Sequence, residues 1–142
     1  MPVLVDSNVW IDAWDPSAQF HGWAERELAR QSSANELIIN PIIWTELSLG
    51  CATAEDLNRR LLLYGVRFVD LPKESLFSAG RAFHRYCALR KQSGQTLVRT
   101  PLPDFFIGAH AEWAGLAIIT RDAARFQTYF PTVAVIAPKA AA

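Results

Sequence analysis

Apolar residues along the chain follow two alternating rhythms. Short unbroken runs recur at Val3-Leu4-Val5, Leu37-Ile38-Ile39, Val66 to Leu71, Leu116 to Thr120 and Val133 to Ile136. Runs of this length, bounded by polar or turn residues, predict buried strands. Between them the apolar positions take helical spacing. Residues 9–14 read as a short helix, with Trp10 and Trp14 on one face. Asp15-Pro16-Ser17 reads as a turn, and Ser17 is placed to cap a helix running to about Arg30. Pro41 suits the first turn of a helix that Gly50 ends. Thr53, with Asp56 three residues on, resembles a capping box before a helix that Gly65 ends. Residues 73–93 carry the longest helical pattern. Leu76, Gly80, Phe83 and Cys87 fall on one of its sides, and Ser78, Arg81, Arg85 and Gln92 on another. Gly94 to Pro103 is a polar loop. Further helices are expected from Asp104 to Trp113 or Ala114 and from Asp122 to Tyr129.

Strands separated by helices predict an α/β fold, with a mostly parallel central sheet of about four to five strands and helices on both faces. A single domain over residues 1–138 suits a chain of 142. Residues 139–142, Lys-Ala-Ala-Ala, read as a low-complexity tail left over from cloning.

Composition narrows the class. An apolar share of 51% excludes general disorder. No apolar run reaches the ~18–20 residues of a membrane span. The N-terminus lacks a basic region and meets Asp6 early, so it does not read as a signal peptide. Two cysteines, Cys51 and Cys87, make no disulfide framework. A soluble cytoplasmic protein with no membrane partner is expected. Balanced charge, 14 bases against 14 acids, argues against a nonspecific nucleic-acid coat.

The placement of four of those acids changes that picture. Asp6 directly follows the first strand, and Asp122 follows the fourth after one arginine. Glu46 lies about one turn into the helix after the second strand, and Asp104 opens a helix just after Pro103. In parallel sheets, ligands bind beyond the carboxyl ends of the strands. Four acids from four segments are therefore expected on one rim. Such a group needs raised pKa values or a cation. An all-oxygen donor set suits Mg²⁺ or Mn²⁺ rather than zinc, and the chemistry implied is phosphodiester hydrolysis. Without these four, ten acids remain against 14 bases, eleven of them arginine. Arg81, Arg85, Arg99 and Arg121 are candidates for contacting substrate phosphate.

The segments VDSNVWID (5–12), PIIWTELSLG (41–50), PDFFIGAHA (103–111) and TRDAARF (120–126) resemble the PIN-domain family, and within it the VapC-type toxin ribonucleases. The resemblance covers nearly the whole chain in order. It implies a PIN-like fold, Mg²⁺- or Mn²⁺-dependent RNA cleavage, a cognate antitoxin and a homodimer. It also implies that Asp6 and Asp104 are principal metal ligands. Glu46 and Asp122 would complete the set, directly or through water, with Ser7, Asn8 and Thr120 as hydrogen-bonding groups behind them.

Other readings compete. An RNA-processing nuclease that is not a toxin would share these motifs. A non-catalytic interaction module is opposed by the intact quartet. An aspartyl-phosphate phosphatase would want an Asp where Asn8 stands. His84 and Cys87 are half a zinc site without a second pair. Trp10, Trp14, Trp23 and Phe20 exceed what a small core is expected to bury, which points to subunit contact. Gly108, one turn beyond Asp104, suggests close packing near the rim.

Overall fold

The computed structural model describes residues 1–96 and 100–139. Five strands form one sheet: β1 (Pro2–Val5), β2 (Glu36–Ile39), β3 (Arg67–Phe68), β4 (Ala117–Ile119) and β5 (Val135–Ile136). Every pairing is parallel and the order is β3-β2-β1-β4-β5. The central layer aligns Leu4 with Ile38 on one side and Ile118 on the other, all buried. Helices cover both faces, so the central strands are apolar on successive residues rather than on alternate ones.

Seven helices are described: α1 (Ser7–Trp14), α2 (His21–Ala34), α3 (Pro41–Ser48), α4 (Ala54–Leu62), α5 (Lys73–Gln92), α6 (Pro103–Ala114) and α7 (Ala124–Tyr129). The chain steps outward from β1 through β2 to β3, then crosses back to β4 and β5. With this strand order, the right-handed rule for parallel crossovers assigns α1–α4 to one face and α5–α7 to the other. The direction of winding reverses between β1 and β4, which is where a crevice opens in such sheets.

Local signals start and stop these helices. Asn40 caps α3, its Oδ1 accepting from the Ile43 N–H at 3.0 Å, ahead of Pro41. Thr53 caps α4 through the Asp56 N–H at 3.1 Å. Gly115 ends α6 in the left-handed region, φ 67°, and the Leu116 N–H returns to the Ala111 carbonyl.

Several expected elements shift. The helix expected from Ser17 starts at His21, because Ser17 spends its N–H and hydroxyl on Asp15 Oδ1. The strand expected over 66–71 contracts to two exposed edge residues. In α5 the buried stripe is Ser75, Ala79 and Ala82, while Leu76 is 41% exposed. Small residues let α5 lie close along α6, so size overrides hydrophobicity there. Trp10 is fully buried, against Trp14 and Tyr64, and Trp14 and Trp23 pack partly buried against the core. That side of the molecule therefore absorbs the tryptophans expected at an interface.

Candidate acidic site

β1 delivers Asp6 straight into α1, with no intervening loop. Asp6 is 3% exposed, and its N–H donates to the Ile119 carbonyl of β4 at 2.9 Å. Its side chain caps α1, Oδ1 accepting from the Ser7 N–H at 2.8 Å. Oδ2 accepts from the Thr120 hydroxyl at 2.8 Å and from Asn8 Nδ2 at 3.3 Å. Capping and strand pairing thus fix this carboxylate at the junction of β1 and β4.

The other expected residues gather round it. The Ser7 hydroxyl donates to Glu46 Oε1 at 3.0 Å and lies 3.5 Å from Asp6 Oδ1, joining α1 to α3. Asn8 Nδ2 also reaches Thr120 Oγ1 and Asp122 Oδ2, at 3.3 and 3.4 Å, while Asn8 Oδ1 accepts from the Arg121 N–H. Thr120 Oγ1 accepts from the Asp122 N–H at 3.1 Å. Asp122 does not cap α7, whose first residues carry no side-chain cap. Asp104 sits in the first turn of α6, where orphan N–H groups favour an anion. Its Oδ2 accepts from Arg125 Nη1 at 3.2 Å.

The electrostatics follow the crowding. Burial pushes Asp6 up to about 7, against the Thr120 and Ser7 hydrogen bonds and with the help of the Asp104 and Glu46 charges. Glu46 is raised by burial and by Asp104. Asp104 is raised by burial and by Asp122, with Arg125 pulling the other way. Three carboxylates are thus less acidic than usual, and a cation would relieve all three. The donors are all oxygens, which fits a hard divalent ion. Among the described residues, no three His, Cys, Asp or Glu side chains close directly around one point.

The expected arginines divide. Arg121 points back to α1, its Nη1 on both oxygens of buried Asp12 at 2.8 and 2.9 Å, with Asp122 3.7 Å from its Nε. Arg85 donates to the Tyr129 carbonyl at 3.3 Å. Arg81 lies over Phe77, its Cζ 5.2 Å from the ring centroid. Arg99 lies outside the described residues. The arginine on the rim, Arg125, was not expected. Its only sequence signal is its position one turn after Asp122.

A parallel α/β domain with an acidic centre at its sheet's switch point is thereby defined. A family model described as PIN domain matches residues 3–130. The chain belongs to the PIN-domain family, a family of nucleases. Solved structures share the fold. VapBC2 from Rickettsia felis, bound to a DNA fragment from its promoter, aligns with TM-score 0.69 at 17% identity, covering 98% of this chain and 100% of that one. FitAcB from Neisseria gonorrhoeae aligns with TM-score 0.57 at 23% identity, covering 96% of each. A toxin–antitoxin complex from Klebsiella pneumoniae aligns with TM-score 0.60 at 23% identity, covering 96% and 98%. No curated protein sequence matches the chain. Among the described residues, no helix is long and apolar enough to cross a membrane.

Proposed function

We propose that this chain is a Mg²⁺- or Mn²⁺-dependent ribonuclease, the toxin of a toxin–antitoxin pair, acting as a cytoplasmic homodimer. The observation that carries the nuclease reading is the convergence of Asp6, Glu46, Asp104 and Asp122 on one rim, three of them held less acidic than usual. A divalent ion held there would supply an activated water at neutral pH and stabilise charge building on the phosphoryl oxygens. Asp6 and Asp104 would hold that ion most directly, with Glu46 and Asp122 bonding to its waters. Ser7, Asn8 and Thr120 orient the carboxylates, so the rim is organised before substrate arrives. The toxin role and an antitoxin partner are supported by the solved relatives, among them toxin–antitoxin complexes.

The test is cleavage of labelled RNA in Mg²⁺, Mn²⁺ and EDTA. Cleavage is expected with either ion and none in EDTA. Asp6→Asn is expected to lower the rate by about a hundredfold or more, as the activated water is lost. Full activity in EDTA overturns the reading.

A further inference from the structure

Arg125 stands apart from the other arginines of the rim. It makes one hydrogen bond among the described residues, to Asp104 Oδ2 at 3.2 Å. Among the described residues, no second carboxylate clamps its guanidinium. Instead it lies over two aromatic rings, 5.4 Å from Tyr86 and 5.8 Å from Phe105. Its side chain is 36% exposed, on a hollow of about 560 Å³ that Asp104, Asp122, Thr128 and Tyr129 also line. Neighbouring Arg121 is different, committed to both oxygens of Asp12.

A guanidinium carries five N–H donors in a flat fork suited to phosphate oxygens. Lying over the two rings confines the guanidinium while leaving N–H groups able to change partners. Asp104 is a carboxylate that a divalent ion would claim, and the ion and Arg125 are competing positive charges for it. We propose that Arg125 is an exchangeable counter-cation and a phosphate-binding residue. It neutralises Asp104 in the ion-free protein. When a divalent ion takes Asp104, its released edge binds a non-bridging phosphate oxygen of the RNA in the adjacent hollow. Tyr86 and Phe105 hold it in place through the exchange. This assignment rests on the phosphodiesterase reading above.

The two halves predict opposite shifts. Mn²⁺ binding is measured calorimetrically without RNA, on the full chain and on Arg125→Gln. The variant is expected to bind Mn²⁺ roughly two- to fivefold more tightly, the scale of a partly exposed ion pair removed. Binding of a cleavage-resistant phosphorothioate RNA is then followed by fluorescence anisotropy, with Mn²⁺ and with EDTA. With Mn²⁺ the variant is expected to bind RNA about tenfold more weakly. Its salt dependence should fall by about 0.7 in log–log slope, one phosphate contact on a single strand. In EDTA the two proteins should bind RNA alike, because Arg125 is then engaged by Asp104. Arg125→Lys guards against a folding defect. It keeps the charge without the flat fork, so Mn²⁺ affinity near wild type with weakened RNA binding is expected. Unchanged or weaker Mn²⁺ binding by Arg125→Gln overturns the assignment, as does an RNA defect of equal size in EDTA. If wild type binds no Mn²⁺, the phosphodiesterase reading falls and takes this one with it. If wild type binds Mn²⁺ and cleaves RNA while both variants match it, only Arg125 is misassigned.

Discussion

Asp6 governs how the acidic rim loads stability with pH. Its pKa rises from 3.8 to about 7, chiefly through burial. Below pH 4 it is protonated in both folded and unfolded chains and costs nothing. Between pH 4 and 7 the unfolded chain ionises while the folded one holds the proton, so stability falls as pH rises. Above pH 7 the cost is constant, roughly 4 kcal/mol at 1.36 kcal/mol per unit. In EDTA, Asp6→Asn is therefore expected to melt several degrees above wild type at pH 8, with the gap closing toward pH 4, by differential scanning fluorimetry. A gap that does not vary with pH counts against it. Asp104→Asn should gain less, because Arg125 already offsets that charge. It should also shrink the stabilisation Mg²⁺ gives, by linkage. Asp6 was legible in the sequence because a carboxylate directly after a buried apolar strand has few innocent explanations. Arg125 was not: one charge near the start of a short helix looks like any other until α6 and α7 come together. Asp12 was hidden the same way, since its burial against Arg121 depends on a residue 109 positions away.

At the scale of elements, the helices set the geometry of the rim. α6 carries Asp104, and its seat depends on Gly108 one turn on. A Cβ built at Gly108 would lie 2.3 Å from the ring of Phe130, which is fully buried. Neither the ring nor the helix backbone can move aside without disturbing the core. Gly108→Ala is expected to destabilise the fold by about 1–3 kcal/mol through overpacking, read as a lower midpoint in urea. Because the clash pushes on α6, Mg²⁺ affinity should weaken as well. A variant as stable as wild type would show that Phe130 has room to yield. A buried bond between Asn40 Nδ2 and His110 Nδ1, at 3.1 Å, ties the start of α3 to α6. It braces the elements bearing Glu46 and Asp104 against each other. Periodicity located these helices well, but it left open which side of α5 is most buried. Hydropathy ranks Leu76 above Ala79, whereas close helix contact selects the smaller side chain.

For the whole molecule, the tryptophan argument for self-association gives way to a different surface. With Trp10 buried and Trp14 and Trp23 packed inward, the exposed large apolar residues include Ile11 of α1, Leu49 and Trp113 and two further groups. On α5 they are Leu76, Phe77 and Leu89; around α4 and β3 they are Leu62, Leu63 and Phe68. A homodimer is expected by light scattering at tens of micromolar, where an interface of about −8 kcal/mol is mostly formed. Phe77→Asp should shift it toward monomer if α5 is the contact. A wild-type monomer at that concentration removes the dimer. The fold class was readable throughout, because strand and helix rhythms alternate without interruption. Which faces stay uncovered was not, since that depends on how the helices share the sheet.

The pairing of β1 with β4 also has a consequence in time. Asp6 hydrogen-bonds to Thr120, 114 residues later in the chain. A ribosome adding about 5–20 residues per second takes roughly 6–23 s to get from one to the other. Until β4 has emerged, the first strand lacks its neighbour on that side and Asp6 lacks the hydroxyl that orients it. A chain wired in this way completes its acidic rim late in synthesis, only after β4 has joined β1.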